Sequence, residues 1–93
     1  MESTRKAYLN WIRKNHTVYS TANLQDGTHR VSIPWAAARY TTLQEAHDRF
    51  PDSEKEAIMF LTAFQTQFPE FAGRVSHKWH TGAALYLSLR VAG

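Results

Sequence analysis

Residues 17–35 alternate polar and apolar side chains on both sides of Asp26-Gly27, a dipeptide suited to reversing a chain. Alternation with period two and a turn signal at its centre specify a β-hairpin more tightly than any other feature of this 93-residue chain. A two-residue type I′ turn at Asp26-Gly27 pairs Leu24 with His29, Ala22 with Val31, Ser20 with Ile33 and Val18 with Trp35. One face then collects Val18, Ala22, Leu24, Val31, Ile33 and Trp35, and the other collects Thr17, Tyr19, Thr21, Asn23, Thr28, Arg30 and Ser32. An antiparallel sheet with one wet face requires that separation.

Residues 74–91 predict a second hairpin. An odd loop centred on Gly82 pairs Trp79 with Leu85, His77 with Leu87 and Val75 with Leu89, with Leu85, Leu87, Leu89 and Val91 all on the apolar side. A two-residue turn at Thr81-Gly82 mixes the faces, so the odd loop is preferred. The polar side carries Arg74, Ser76, Lys78, His80, Tyr86, Ser88 and Arg90.

The remaining segments follow helical spacing. In residues 3–15, Tyr8, Trp11 and Ile12 recur at i, i+3 and i+4, with Lys6, Arg13 and Lys14 on the opposite side and Ser3 as N-cap. Residues 36–41 are compatible with the start of a helix or with continued strand. Thr42-Leu43-Gln44-Glu45 has the form of a capping box and opens a short helix ending before Pro51. Ser53-Glu54-Lys55-Glu56 has the same form and opens a longer one, whose stripe of Ala57, Phe60, Leu61, Phe64 and Phe68 predicts the centre of the core. Pro69 ends it. The expected fold class is α+β over residues 1–93 as one domain: N-terminal helix, β-hairpin, one or two helices, C-terminal β-hairpin, with helices on one face of an antiparallel sheet. Whether the hairpins share a sheet is left open by the sequence.

Function classes narrow by exclusion. No cysteine is present, which removes disulfides, thiolate metal ligands and a thiol nucleophile. The longest unbroken apolar run, Ala57 to Leu61, is far below the roughly 20 residues of a membrane span, so no membrane association and a cytoplasmic location are expected. The five histidines are scattered. His77 and His80 have a His-x-x-His spacing, but i and i+3 on a strand point to opposite faces, so no metal and no cofactor are expected. The four glycines at 27, 73, 82 and 93 stand singly, which leaves no phosphate-cradling loop. Trp11, Trp35 and Trp79 fall on apolar faces and are assigned to packing, while Tyr19, Tyr40 and Tyr86 are the aromatic residues expected at the surface.

Net charge is +3, but it is segregated. Residues 1–16 and 73–93 each carry an excess of three positive charges, and residues 51–72 an excess of three negative ones. The candidate binding residues are therefore Lys6, Arg13 and Lys14 on the first helix, and Tyr19, Arg30, Arg74, Lys78, His80, Tyr86 and Arg90 on an open sheet face. Cations neutralise phosphates and rings stack on bases, so such a face suits single-stranded nucleic acid.

Asp26-Gly27-Thr28-His29-Arg30-Val31-Ser32-Ile33-Pro34 resembles the hairpin of small toxin–antitoxin proteins of the HicA/HicB type, and Thr42-Leu43-Gln44-Glu45-Ala46 is similar to the start of the helix that follows the antitoxin's sheet. The likeness covers under half the chain. The toxin's His-bearing hairpin segment and the antitoxin's Gly-Cys region are absent, so no role is carried over from it.

The leading expectation is a non-catalytic interaction module, monomeric or homodimeric. It would be a regulator or inhibitor of the kind encoded by phages and mobile elements, anti-CRISPR proteins included, acting on a larger protein or nucleoprotein complex. Direct nucleic-acid binding by the open sheet face is the alternative. A small metal-independent nuclease using His and Arg stands third.

Overall fold

The computed structural model describes residues 2–36, 39 and 42–93. Its elements are α1 (Glu2–Arg13), β1 (Ser20–Asn23), β2 (His29–Ala36), α2 (Leu43–Arg49), α3 (Ser53–Gln67), a 3-10 turn at Pro69–Phe71, β3 (Val75–Thr81) and β4 (Leu85–Val91). The α+β class holds, and the two hairpins do share a sheet. Its order is β1-β2-β4-β3, all antiparallel, with β2 against β4 at the centre.

The central strands bury what their alternation promised. Val31 and Ile33 of β2 and Leu87, Leu89 and Val91 of β4 meet Tyr8 and Ile12 of α1 and Ala57, Phe60, Leu61 and Phe64 of α3 in one cluster. Trp11, Trp35 and Trp79 are partly buried against it, which agrees with their assignment to packing. Pro34, which has no N–H for the ladder, stands where the β2–β4 register shifts between Pro34 and Ala36. Of the ambiguous stretch 36–41, Ala36 ends β2; positions 37, 38, 40 and 41, and Tyr40 with them, lie outside the described residues.

The first hairpin closes differently from expectation. Gly27 N–H donates to Leu24 O at 3.0 Å and Leu24 N–H to Thr28 O at 2.8 Å, giving a three-residue loop of Gln25, Asp26 and Gly27. A type I′ turn needs φ > 0 at both central residues, but only Gly27 adopts it, at +87°. Asp26 instead accepts the Thr28 N–H on its carboxylate at 2.9 Å, a local bond that holds the aspartate in a turn of ordinary hand. The extra loop residue slips β1 by one, so Thr21 faces Val31 and Ala22 faces Arg30. Ala22 therefore moves to the outer face and Thr21 and Asn23 to the helix side. Substituting Gly27 by alanine is expected to cost about 1–2 kcal/mol, because a Cβ at this φ crowds the following carbonyl although the space around it is open. Thermal unfolding of the variant measures that cost.

The second hairpin keeps its faces but pairs two residues further along than expected, with Trp79 opposite Leu87 and Val75 opposite Val91. The loop is Gly82 to Ala84, closed by Gly82 N–H to Ala84 O at 3.0 Å. A shift of two preserves sidedness. At the helices, Thr42 Oγ1 accepts the Glu45 N–H at 3.1 Å as an N-cap should. The second capping box does not form: Asp52 is the N-cap residue, and Ser53 is the first helical residue, 1% exposed. Its hydroxyl is bonded to His47 Nδ1 at 3.1 Å, a tertiary partner that outcompetes the local cap.

Candidate interaction surface on the open sheet face

The helices pack on one side of the sheet, and the other side displays three cross-strand rows. Register places Ala22, Arg30, Arg90 and Ser76 in the first row, and Ser20, Ser32, Ser88 and Lys78 in the second. The third holds Pro34, Tyr86 and His80. Rows lie two residues apart along the strands, roughly 7 Å. The face is thus graded, with cations at one end and rings at the other, while Ser32 and Ser88 between them are buried at 3% exposure each.

At the cationic end, Arg30 and Arg90 stand directly opposite each other on the two central strands. Like charges so placed repel. Neither forms an ion pair among the described residues, and the Nε atom of each is buried without a hydrogen-bond partner. Asp26, in the first hairpin loop, feels Arg90. Its carboxyl is held below the usual range, chiefly by the Thr28 hydrogen bonds and to a smaller degree by that charge.

At the aromatic end, His80 stacks on Tyr86 with centroids 5.2 Å apart and planes 13° from parallel. Tyr19 tilts against the Tyr86 ring at 5.2 Å and is 66% exposed. Tyr19 reaches this side because its N–H joins Ser32 O at 2.8 Å while Ser20 is also paired to Ser32, so two successive residues oppose one. Partial burial, and secondarily the charge of Arg30, holds the His80 ring below its ordinary value of 6.5. The ring is therefore neutral at pH 7 and suited to stacking.

The ten candidate residues do not form one surface. Tyr19, Arg30, Lys78, His80, Tyr86 and Arg90 share the open face. Lys6 and Arg13 line a small cleft on the helix side with Thr21 and Asn23, and Lys14 follows the end of α1, so these three make a separate basic strip. Arg74, expected on the open face, is folded away from it. Its guanidinium lies 5.8 Å over the Phe71 ring and donates to the carbonyls of Ala92 at 3.0 Å and Glu70 at 3.5 Å. Two backbone acceptors and a ring face outweigh simple alternation at this position, which precedes β3.

On the helix side, Glu54 accepts from Trp79 Nε1–H at 2.7 Å and is bonded to His77 Nε2 at 2.8 Å, so His77 on the apolar face is a satisfied half-buried histidine, as expected. Those bonds, Trp79 first and His77 second, hold the Glu54 carboxyl below its ordinary value of 4.5. Its ionised form favours the folded state, so this contribution is complete above pH 4.5 and lost as acid takes the pH through the lower folded value. Acid titration of tryptophan fluorescence in wild type and Glu54→Gln is expected to show a component below pH 4.5 that the variant lacks. A second pairing escaped the sequence, between Tyr8 Oη and His29 Nδ1 inside the core. Burial pushes the Tyr8 hydroxyl up to about 12, so it keeps its proton at neutral pH. Only the packing of α1 against β2 brings these two together across 21 residues of chain.

Among the described residues no three His, Asp or Glu side chains gather into a metal-binding group, and no helix is long and apolar enough to cross a membrane. Comparison with protein-family models, with curated proteins and with solved structures finds no match to this chain.

Proposed function

We propose that this protein is a non-catalytic interaction module whose open sheet face takes single-stranded nucleic acid, free or carried by a larger nucleoprotein. The observation that supports this reading most directly is the opposed Arg30–Arg90 pair. Two like charges held side by side on neighbouring strands gain from an anion laid across them. Lys78 extends the cationic strip, and Tyr86, His80 and Tyr19 offer rings about two rows away, where bases of the same strand can stack. An antiparallel face with cations and rings and no acidic residue in its three rows among the described residues fits a polyanion better than an ordinary protein epitope.

A regulatory or inhibitory role toward a larger protein is the second reading. It is supported by the separate basic strip of Lys6, Arg13 and Lys14 on α1, which leaves a cationic surface for an acidic partner while the sheet face is occupied. Fluorescence anisotropy with labelled single- and double-stranded DNA and RNA at low and near-physiological salt tests the first reading. Three phosphate contacts to a single strand predict a log–log salt slope of about −2. Absence of binding even at low salt sinks it. Stoichiometric complex formation with an acidic protein, lost on neutralising the α1 strip, favours the second reading.

A further inference from the structure

A separate cleft of about 540 Å³ opens where the end of α1, the end of β2 and α3 meet. Its walls include Trp11, His16, Trp35 and Phe60, and Glu56 contributes a carboxylate; among the described residues no Lys or Arg lines it. The rings form two near-parallel sets. His16 stacks on Trp35 at 4.9 Å and 13°, and Trp11 lies 5.9 Å from Phe60 at 26°. The sets meet steeply, with Trp35 at 66° and His16 at 76° to Phe60, so together they build the corner of a box. Trp35 Nε1–H donates to Glu56 Oε1 at 3.3 Å, which ties the carboxylate to one wall. Burial lowers the His16 value from 6.5, so that wall is uncharged at neutral pH.

We propose that this cleft is a binding site for a small alkylated ammonium ion. Ring faces carry negative potential and attract a soft cation, and quaternary ammonium groups are the ions such aromatic corners hold best. That hydrogen bond holds the carboxylate beside the rings, where its charge adds to theirs. The volume lies within the roughly 300–1,000 Å³ of small-molecule sites. None of the lining residues belongs to the open sheet face, so the site stands independently of the nucleic-acid reading.

Isothermal titration and tryptophan fluorescence with choline, set against 3,3-dimethylbutan-1-ol as its uncharged isostere, test the proposal. Choline is expected to bind saturably, at least about tenfold more tightly than the alcohol. Glu56→Gln, an exposed change at the start of α3, is expected to weaken choline about tenfold, leave the alcohol unaffected and keep the melting temperature. Equal affinity for the two compounds, or no saturable response to choline up to about 10 mM, overturns the proposal. Choline binding should also survive neutralisation of Arg30, Lys78 and Arg90; its loss there would place the site elsewhere.

Discussion

Replacing Phe64 by alanine is expected to lower stability by about 3–5 kcal/mol, the largest effect of any single substitution proposed for this chain. Phe64 is fully buried, and its ring lies 5.4 Å from Tyr8, 5.9 Å from Trp11, 5.3 Å from Phe68 and 6.2 Å from Phe71. It is thus the point where α1, α3 and the Pro69–Phe71 turn meet over the sheet. These neighbours are large rings held by their own backbones and cannot close the space a removed benzyl group leaves. A cavity therefore persists and adds to the lost transfer energy. For a domain of this size each kcal/mol moves the melting temperature by roughly 4–8 °C, so a fall of about 15–30 °C is expected by circular dichroism. Met59→Ala, on the same helix but 64% exposed, serves as the control and should change stability by less than about 1 kcal/mol. A Phe64 variant that melts with the Met59 variant would remove Phe64 from the centre of the core.

Converting Arg30, Lys78 and Arg90 together to glutamine is expected to weaken single-strand binding at least about 100-fold at low salt, since each lost charge-assisted contact counts for about tenfold or more. The salt slope should flatten by about 2, because three released counterions no longer contribute. The fold should not suffer. Removing the directly opposed Arg30–Arg90 repulsion on the central strands leaves stability unchanged or raises it slightly. That opposite sign in stability and binding is the useful part of the experiment: a variant that both unfolds and fails to bind would show the arginines to be structural. The matched change of Lys6, Arg13 and Lys14 should leave oligonucleotide affinity within a few-fold. If the loss follows α1 instead, the open face is not the docking surface.

Most of that surface was legible before the structure. Arg30, Lys78, His80, Tyr86 and Arg90 alternate with Val31, Trp79, Leu85, Leu87 and Leu89, and residues that bury one side of a strand must turn the others to the opposite side. Arg74 shows the reach of that rule. One residue before β3 it is free of the ladder, and the carbonyls of Glu70 and Ala92 decide its direction.

Local chemistry by itself determined the helices, the stripe of Ala57, Phe60, Leu61 and Phe64, and the sidedness of β2, β3 and β4, because period and burial act within one element and need no knowledge of its neighbours. The hand of one turn and the meetings of distant segments were decided only in the folded structure. A single extra loop residue, set by whether Asp26 or only Gly27 would adopt positive φ, turned β1 over and put Thr21 and Asn23 beside α1. Joining β2 to β4 brought Arg30 against Arg90, and the descent of α1 and α3 onto the sheet assembled Trp11, Trp35 and Phe60 around Glu56. These are contacts between segments distant in the chain, whose energies depend on which surfaces finally meet. Periodicity within any one segment carries no record of them.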